Sequence, residues 1–367
     1  MNIAKIINFP SFAPNNVQSK NKTNNYNTNF GLKMSAPLSC DTVSFGATRK
    51  ELTEDDKTKG INMATASQVR EAALPMQPKA RAFADKLWGK YLVTEMNPLN
   101  PVLKICDRCK SALSIREKSQ SRDFRSKQEC LDKMTDINGV KIVMRDSSME
   151  NVDKILGELR APIMNGEVEL LEIENKRPMA VKGLKGKELT KYDYASESLL
   201  NELADLQNAK NDSKQKTKGK KVRVDMDDFT EINYCAVHML LRLKGEKRPF
   251  ELTLMGSNIS ELKDLDDKLF KILKGKEVDE TYDPIKKIVK PLTLDGNQES
   301  LEKFNNYRAE AMLFQRKKAA SSFAWKNNGT PHFLPMSEDL DPRLDLNELY
   351  KLMLRCDKAA EKKEDNK

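Results

Sequence analysis

Histidine is nearly missing from this chain: two residues, His238 and His332, among 367. A centre built on a histidine cluster is thereby excluded, and with it the metal-dependent phosphohydrolases that need several. Long apolar runs are missing too, and none reaches the length that crosses a membrane. The N-terminus has no apolar stretch of the kind that opens a secretory signal. Six cysteines in a chain of this length do not make a disulfide scaffold. They read as reduced thiols, which points to the cytoplasm. Acids are absent before Asp41, and nine of the first thirty residues are Asn. Apolar residues there follow no period, so residues 1–60 read as a disordered Asn-rich tail. Targeting to an organelle would suit the lack of acids, but the first arginine is Arg49.

What is present in quantity is charge. Lys+Arg number 64 and Asp+Glu 55, a net +9, while hydrophobic residues at 38% still suffice for a core. Such a surplus suits anionic partners, nucleotides or RNA. Helical periodicity runs from Ala64 to Leu92 with a break near Pro75–Pro78. A second helix is expected from Val102 to Lys118. A strand follows over 136–145. Ser147 and Glu150 then have capping-box spacing before the stripe Val152, Ile155, Leu156 and Leu159. Val168–Ile173 reads as a strand and 194–208 as a helix. Lys210 to Arg223 carries seven positive charges and one acid, a solvated loop or a phosphate-attracting arm. Tyr234–Leu243 and Phe250–Met255 alternate as strands, the first with Tyr234, Ala236, His238, Leu240 and Arg242 on one face. Helices are expected over 261–273, 298–324 and 345–362. The pattern describes an α/β or α+β protein, a mixed sheet of about five strands flanked by helices.

Three groups could carry chemistry. In Arg108-x-Lys110-x3-Ser114-x3-Lys118, helical spacing would align Lys110, Ser114 and Lys118 on one face, able to hold a polyphosphate. The plain alternative is a solvated basic face. In Asp136-x-x-Gly139-x-Lys141, a carboxylate at a strand end could hold Mg²⁺ near phosphates, or simply form a turn. Tyr234 and His238, with Glu251 on the next strand, could stack a base, touch a phosphate and activate a hydroxyl, or form a half-exposed sheet face. Cys106-x-x-Cys109 lacks the second pair of a zinc site and the context of a redox motif.

In this order the three groups resemble the RelA/SpoT family of alarmone synthetases, across roughly residues 70 to 320. Arg108, Lys110, Ser114 and Lys118 match the family's ATP-holding R-x-K-x3-S-x3-K run. Asp136 matches its Mg²⁺-binding aspartate, Tyr234 and His238 its G-Y-x-x-x-H acceptor motif, and Glu251 its catalytic glutamate. The stretch Glu172–Pro178 and the helix Leu301–Tyr307 also look alike. The resemblance implies a nucleotidyltransferase-like synthetase domain over 61–280 and a C-terminal helical extension over 281–367. It implies transfer of the β,γ-pyrophosphate of ATP to the 3′-hydroxyl of GDP or GTP. Asp136 and Glu251 would be catalytic and hold Mg²⁺. Arg108, Lys110, Ser114 and Lys118 would bind ATP, and Tyr234 and His238 the acceptor. Small members are often homo-oligomers. Two histidines cannot supply the family's hydrolase half.

Four departures stand out: Lys141 for the family Arg, Asn233 for the Gly before the Tyr, and Thr253 and Met255 for the Gln and Arg after the Glu. They leave the acceptor open. A toxic branch of the family places pyrophosphate on the 3′ end of tRNA, and the basic 210–223 segment would suit RNA. A non-catalytic nucleotide- or RNA-binding module and a partner-binding protein are the other readings.

Overall fold

The computed structural model describes residues 60–213, 221–230, 234–273, 279–294, 298–317 and 338–364. The expected tail lies outside these residues apart from Gly60, as do 214–220 of the basic segment and 318–324 of the long C-terminal helix. The chain begins with α1 (Met63–Ala73), α2 (Met76–Trp88), β1 (Val102–Cys109), α3 (Ala112–Arg122), α4 (Lys127–Lys133) and β2 (Asn138–Met144). Next come α5 (Met149–Gly157), α6 (Arg160–Asn165), β3 (Val168–Pro178), a single turn α7 (Lys187–Thr190), α8 (Glu197–Ser213) and β4 (Val224–Thr230). The rest is β5 (Ala236–Leu243), β6 (Phe250–Gly256), α9 (Ser257–Leu273), α10 (Asp283–Leu294), α11 (Gln298–Lys317) and α12 (Leu346–Glu364).

The strands form one mixed sheet in the order β1-β2-β6-β5-β3-β4. β2 pairs parallel with β6 and β3 parallel with β4, while the other three pairings are antiparallel. Against about five strands expected the sheet has six, and neither β1 nor β4 is among the segments that read as strands. The β4 sequence, Val-Asp-Met-Asp-Asp-Phe-Thr, is poor in strand formers, and pairing with β3 supplies what propensity does not. The helix expected over Val102–Lys118 is corrected. Val102–Cys109 is an edge strand bonded to β2, and the helix starts at Ala112 after Ser111, whose side chain accepts from Ser114 N. Apolar residues at 102, 103 and 105 mimic helical spacing, and only the partner strand decides. The capping box at Ser147 does not form either. Ser148 takes the N-cap position of α5 without a side-chain capping bond, and the buried Ser147 hydroxyl packs against Gly256, where a Cβ would come within 2.9 Å of it.

Period-two alternation gives the sheet one apolar face, with Val140 and Ile142 on β2, Leu252 and Leu254 on β6, and Val237, Met239 and Leu241 on β5, all buried. α2, α5, α6 and α8 contribute to the core against it, and the same core takes in Ile285, Phe304 and Leu349 of α10 to α12. Trp88 is fully buried there and donates from Nε1 to Ile155 O (2.8 Å). A second, smaller core joins Val69 and Ala73 of α1, Ile115 of α3, Leu131 of α4 and Ile137. It fixes α3 beside the entrance to β2. The other sheet face is polar, and part of it lies under α9, where Lys141 Nζ donates to Ser260 Oγ (3.2 Å).

Candidate active site

Strand register assembles the polar face. Arg108 on β1 lies opposite Gly139 on β2, Gly139 beside Glu251 on β6, and Glu251 opposite Leu240 on β5. The next row is Lys141, Thr253 and His238. Residues 143 positions apart in sequence therefore meet: Arg108 Nη2 donates to Glu251 Oε2 at 3.0 Å. To do so the guanidinium crosses β2 at its glycine. A Cβ on Gly139 would stand 3.3 Å from Arg108 Nε and 3.3 Å from the Glu251 carbonyl oxygen, so this position has little room for a side chain. The other carboxylate oxygen of Glu251 lies 2.9 Å from His238 Nδ1. His238 Nε2 in turn lies 2.6 Å from Tyr234 Oη. The Tyr234 and His238 rings meet edge to face, 5.4 Å between centroids. Four side chains thus form one hydrogen-bonded line across the sheet.

A second cluster adjoins it. Asp136, just before β2, has Oδ2 2.7 Å from Lys118 Nζ of α3 and 3.0 Å from Lys110 Nζ. Lys110 lies between β1 and α3, not on the helix, so the expected single helical face is corrected to two elements. Its backbone N–H donates to Ile137 O (2.8 Å), which fixes it beside Asp136. Ser114 is on α3 one turn before Lys118. Its hydroxyl accepts from Ser111 Oγ (3.0 Å), so its contact is with the capping residue. Sequence spacing pointed to every member of both clusters. It missed Lys263 of α9, whose ammonium lies 5.1 Å from the centroid of the Tyr234 ring. A lysine four residues before an aspartate on a helix looks like an ordinary surface pair, so nothing in the pattern marks it.

The electrostatics follow from burial. Burial opposes the Lys110 charge and, despite Asp136, brings its pKa down to about 8; the Arg108 and Lys118 charges push the same way. Burial also opposes the Asp136 charge, but Lys110 and Lys118 outweigh it and hold the carboxyl at about 2. For Glu251 burial is again the largest influence, and His238, Arg108 and Lys110 override it to hold the carboxylate well below the usual range. The two carboxylates also feel one another's charge. Both are therefore ionised at neutral pH.

Among the described residues, Lys110 Nζ and Asp136 Oδ1 are buried without a hydrogen-bond partner, although Lys110 Nζ is ion-paired with Asp136 Oδ2. Unmet groups of opposite sign in one place suit a ligand that carries both anionic oxygens and a cation. Among the described residues no three or more His, Cys, Asp or Glu side chains converge as a metal group. Mg²⁺ does not need such a cage, since it is commonly held by one or two carboxylates together with substrate phosphates. Asp136 Oδ1, exposed to no protein donor, fits that chemistry.

Two buried carboxylates, an arginine and two lysines thus gather on and beside one sheet face, a set able to hold phosphate oxygens. No family model matches the sequence, and no curated protein matches it. Solved structures that align with much of this chain, at low structural similarity, include small alarmone synthetases. Small alarmone synthetase 2 from Bacillus subtilis is 12% identical over 72% of this chain and 97% of that one, with a TM-score of 0.34. Small alarmone synthetase 1 from the same organism is 12% identical over 73% and 96%, with a TM-score of 0.33. A GTP pyrophosphokinase family protein from Streptococcus pneumoniae is 14% identical over 68% and 96%, with a TM-score of 0.32. Among the described residues no helix is long and apolar enough to cross a membrane.

Proposed function

We propose that this chain is an ATP-dependent pyrophosphokinase that transfers the β,γ-pyrophosphate of ATP to the 3′-hydroxyl of a guanine nucleotide and releases AMP. The observation that carries the reading is the meeting of Arg108, Lys110, Lys118, Asp136, Glu251, His238 and Tyr234 on and beside one sheet face. These are the positions at which the sequence resembles the alarmone synthetases.

Arg108, Lys110 and Lys118 bind and neutralise the triphosphate. Asp136 and Glu251 would hold Mg²⁺, which when bound would offset further phosphate charge. Tyr234 stacks the acceptor base, and His238 steadies both Tyr234 and Glu251. The acceptor oxygen forms a bond to the β-phosphorus, the bond from that phosphorus to the AMP oxygen breaks, and Glu251 takes the hydroxyl proton. Positioning and charge stabilisation supply most of the rate in phosphoryl transfer, which is why the site is rich in charge and poor in nucleophiles.

Product analysis tests the reaction type. With Mg²⁺, ATP and GDP or GTP, the reading expects AMP as the leaving nucleotide. ADP with phosphate would mark a kinase or an ATPase and would overturn it. Glu251→Gln should lose nearly all AMP release while keeping the circular dichroism of the folded chain.

A further inference from the structure

Beyond the groups just described, one buried charged pair faces the site and has no part in the reaction. Lys263 and Asp267 are one turn apart on α9, with Nζ 2.7 Å from Oδ2, and are 5% and 8% exposed. Taking such a pair out of water costs about as much as its attraction returns, so its burial is poorly explained by stability. Its location is specific. Lys263 Nζ sits over the Tyr234 ring, 5.1 Å from the centroid, and that ring is joined through His238 to Glu251.

We infer that Lys263 is a specificity residue of the acceptor subsite, selecting guanine over adenine. The inference rests on the pyrophosphokinase reading and on Tyr234 as the stacking platform. An ammonium has three donors and no acceptor. Asp267 takes one, and among the described residues Asp267 is the hydrogen-bond partner of Lys263. The remaining donors lie on the same side of the Tyr234 ring as the ammonium, 5.1 Å from its centroid, within reach of the edge of a base stacked off-centre on that ring. Guanine presents O6 and N7, both acceptors, along one edge, whereas adenine places its N6 amino group, a donor, next to N7. A donor-only cation therefore accepts the first edge and is mismatched with the second. The same charge adds a cation–π attraction to the stacked ring system. Asp267 acts through Lys263 as a positioning residue, keeping the ammonium over the ring.

The test uses the full chain with GDP and ADP as competing acceptors, together with calorimetric binding of GDP alone. Lys263→Met should raise the KM and Kd for GDP about tenfold, leave the KM for ATP unchanged and shrink the preference for GDP over ADP. Lys263→Arg, which keeps charge and donors, should regain most of the loss. Because Lys263→Met strands the Asp267 carboxylate, the double variant Lys263→Met/Asp267→Asn is measured beside it and should show the same change in specificity. An unchanged GDP KM, an equal rise for ATP and GDP, or an unaltered GDP-to-ADP preference overturns the inference and leaves the reaction assignment standing. A wild-type chain that neither binds nor uses any guanine nucleotide overturns the reading itself, and the inference falls with it.

Discussion

Replacing Lys110 by methionine separates a residue kept for binding from one kept for folding. Lys110 is 3% exposed, and burial brings its pKa from 10.5 to about 8. Holding it charged at pH 7 therefore costs about 3 kcal/mol relative to the unfolded chain. Asp136, lowered from 3.8 to about 2, returns about 2 kcal/mol. The attraction between the two is part of both shifts, so burial remains the dominant influence on Lys110, which is held as a buried cation against it. Lys110→Met keeps the length and loses the charge. Because Lys118 still pairs Asp136, its unfolding free energy at pH 7, from urea titration followed by circular dichroism, should lie within about 2 kcal/mol of the wild type or above it. Its ATP affinity should fall about tenfold to hundredfold, the loss of a charge-assisted contact. The pH dependence carries the sign. The unfolded chain binds the proton up to 10.5 and the folded chain only to about 8, so wild-type stability should rise as pH climbs from 8 to 10.5. The variant should lack that rise. A variant that loses more than about 3 kcal/mol, or that keeps the alkaline rise and full ATP affinity, would refute the reasoning.

Further outcomes follow from the same geometry. Gly139→Ala places a methyl 3.3 Å from Arg108 Nε and the Glu251 carbonyl, and should cut turnover by about tenfold with the thermal midpoint little changed. Turnover equal to wild type would show that the Arg108 crossing is unimportant. Tyr234→Ala should raise the acceptor KM far more than the ATP KM, and equal rises would remove its stacking role. Asp136 contributes stability that is complete above pH 4 and lost as pH falls towards about 2. Asp136→Asn should accordingly flatten the acid limb of the stability curve, and an unchanged limb would count against its pairing with Lys110 and Lys118.

Much of the site was legible in the sequence because each motif sits on an element with a strong local signal. β5 and β6 show period-two alternation and β2 an apolar run, so Gly139, His238 and Glu251 fall on strands that the sequence marks. What was not legible depends on partners distant in sequence. Val102–Cys109 has helix-like apolar spacing and becomes a strand only through β2. β4, with three aspartates, is a strand by virtue of β3. α10, which holds Pro291 inside it, is a helix that the sequence pattern did not mark. Lys263 looks like a surface residue until α9 is laid over the polar sheet face. The pairing of Arg108 with Glu251 is invisible in any local window, since strand order alone makes them neighbours.

The most direct test of the central claim follows the terminal phosphate. Purified chain is mixed with Mg²⁺, ATP labelled at the γ-phosphorus, and GDP, GTP or deacylated tRNA in separate reactions, with Glu251→Gln as the blank. The account predicts label on GDP or GTP with stoichiometric AMP, and none with the variant. Label on tRNA would keep the chemistry and replace the acceptor. No label on any acceptor, from a folded chain that still binds ATP, would contradict the assignment and leave a nucleotide-binding module.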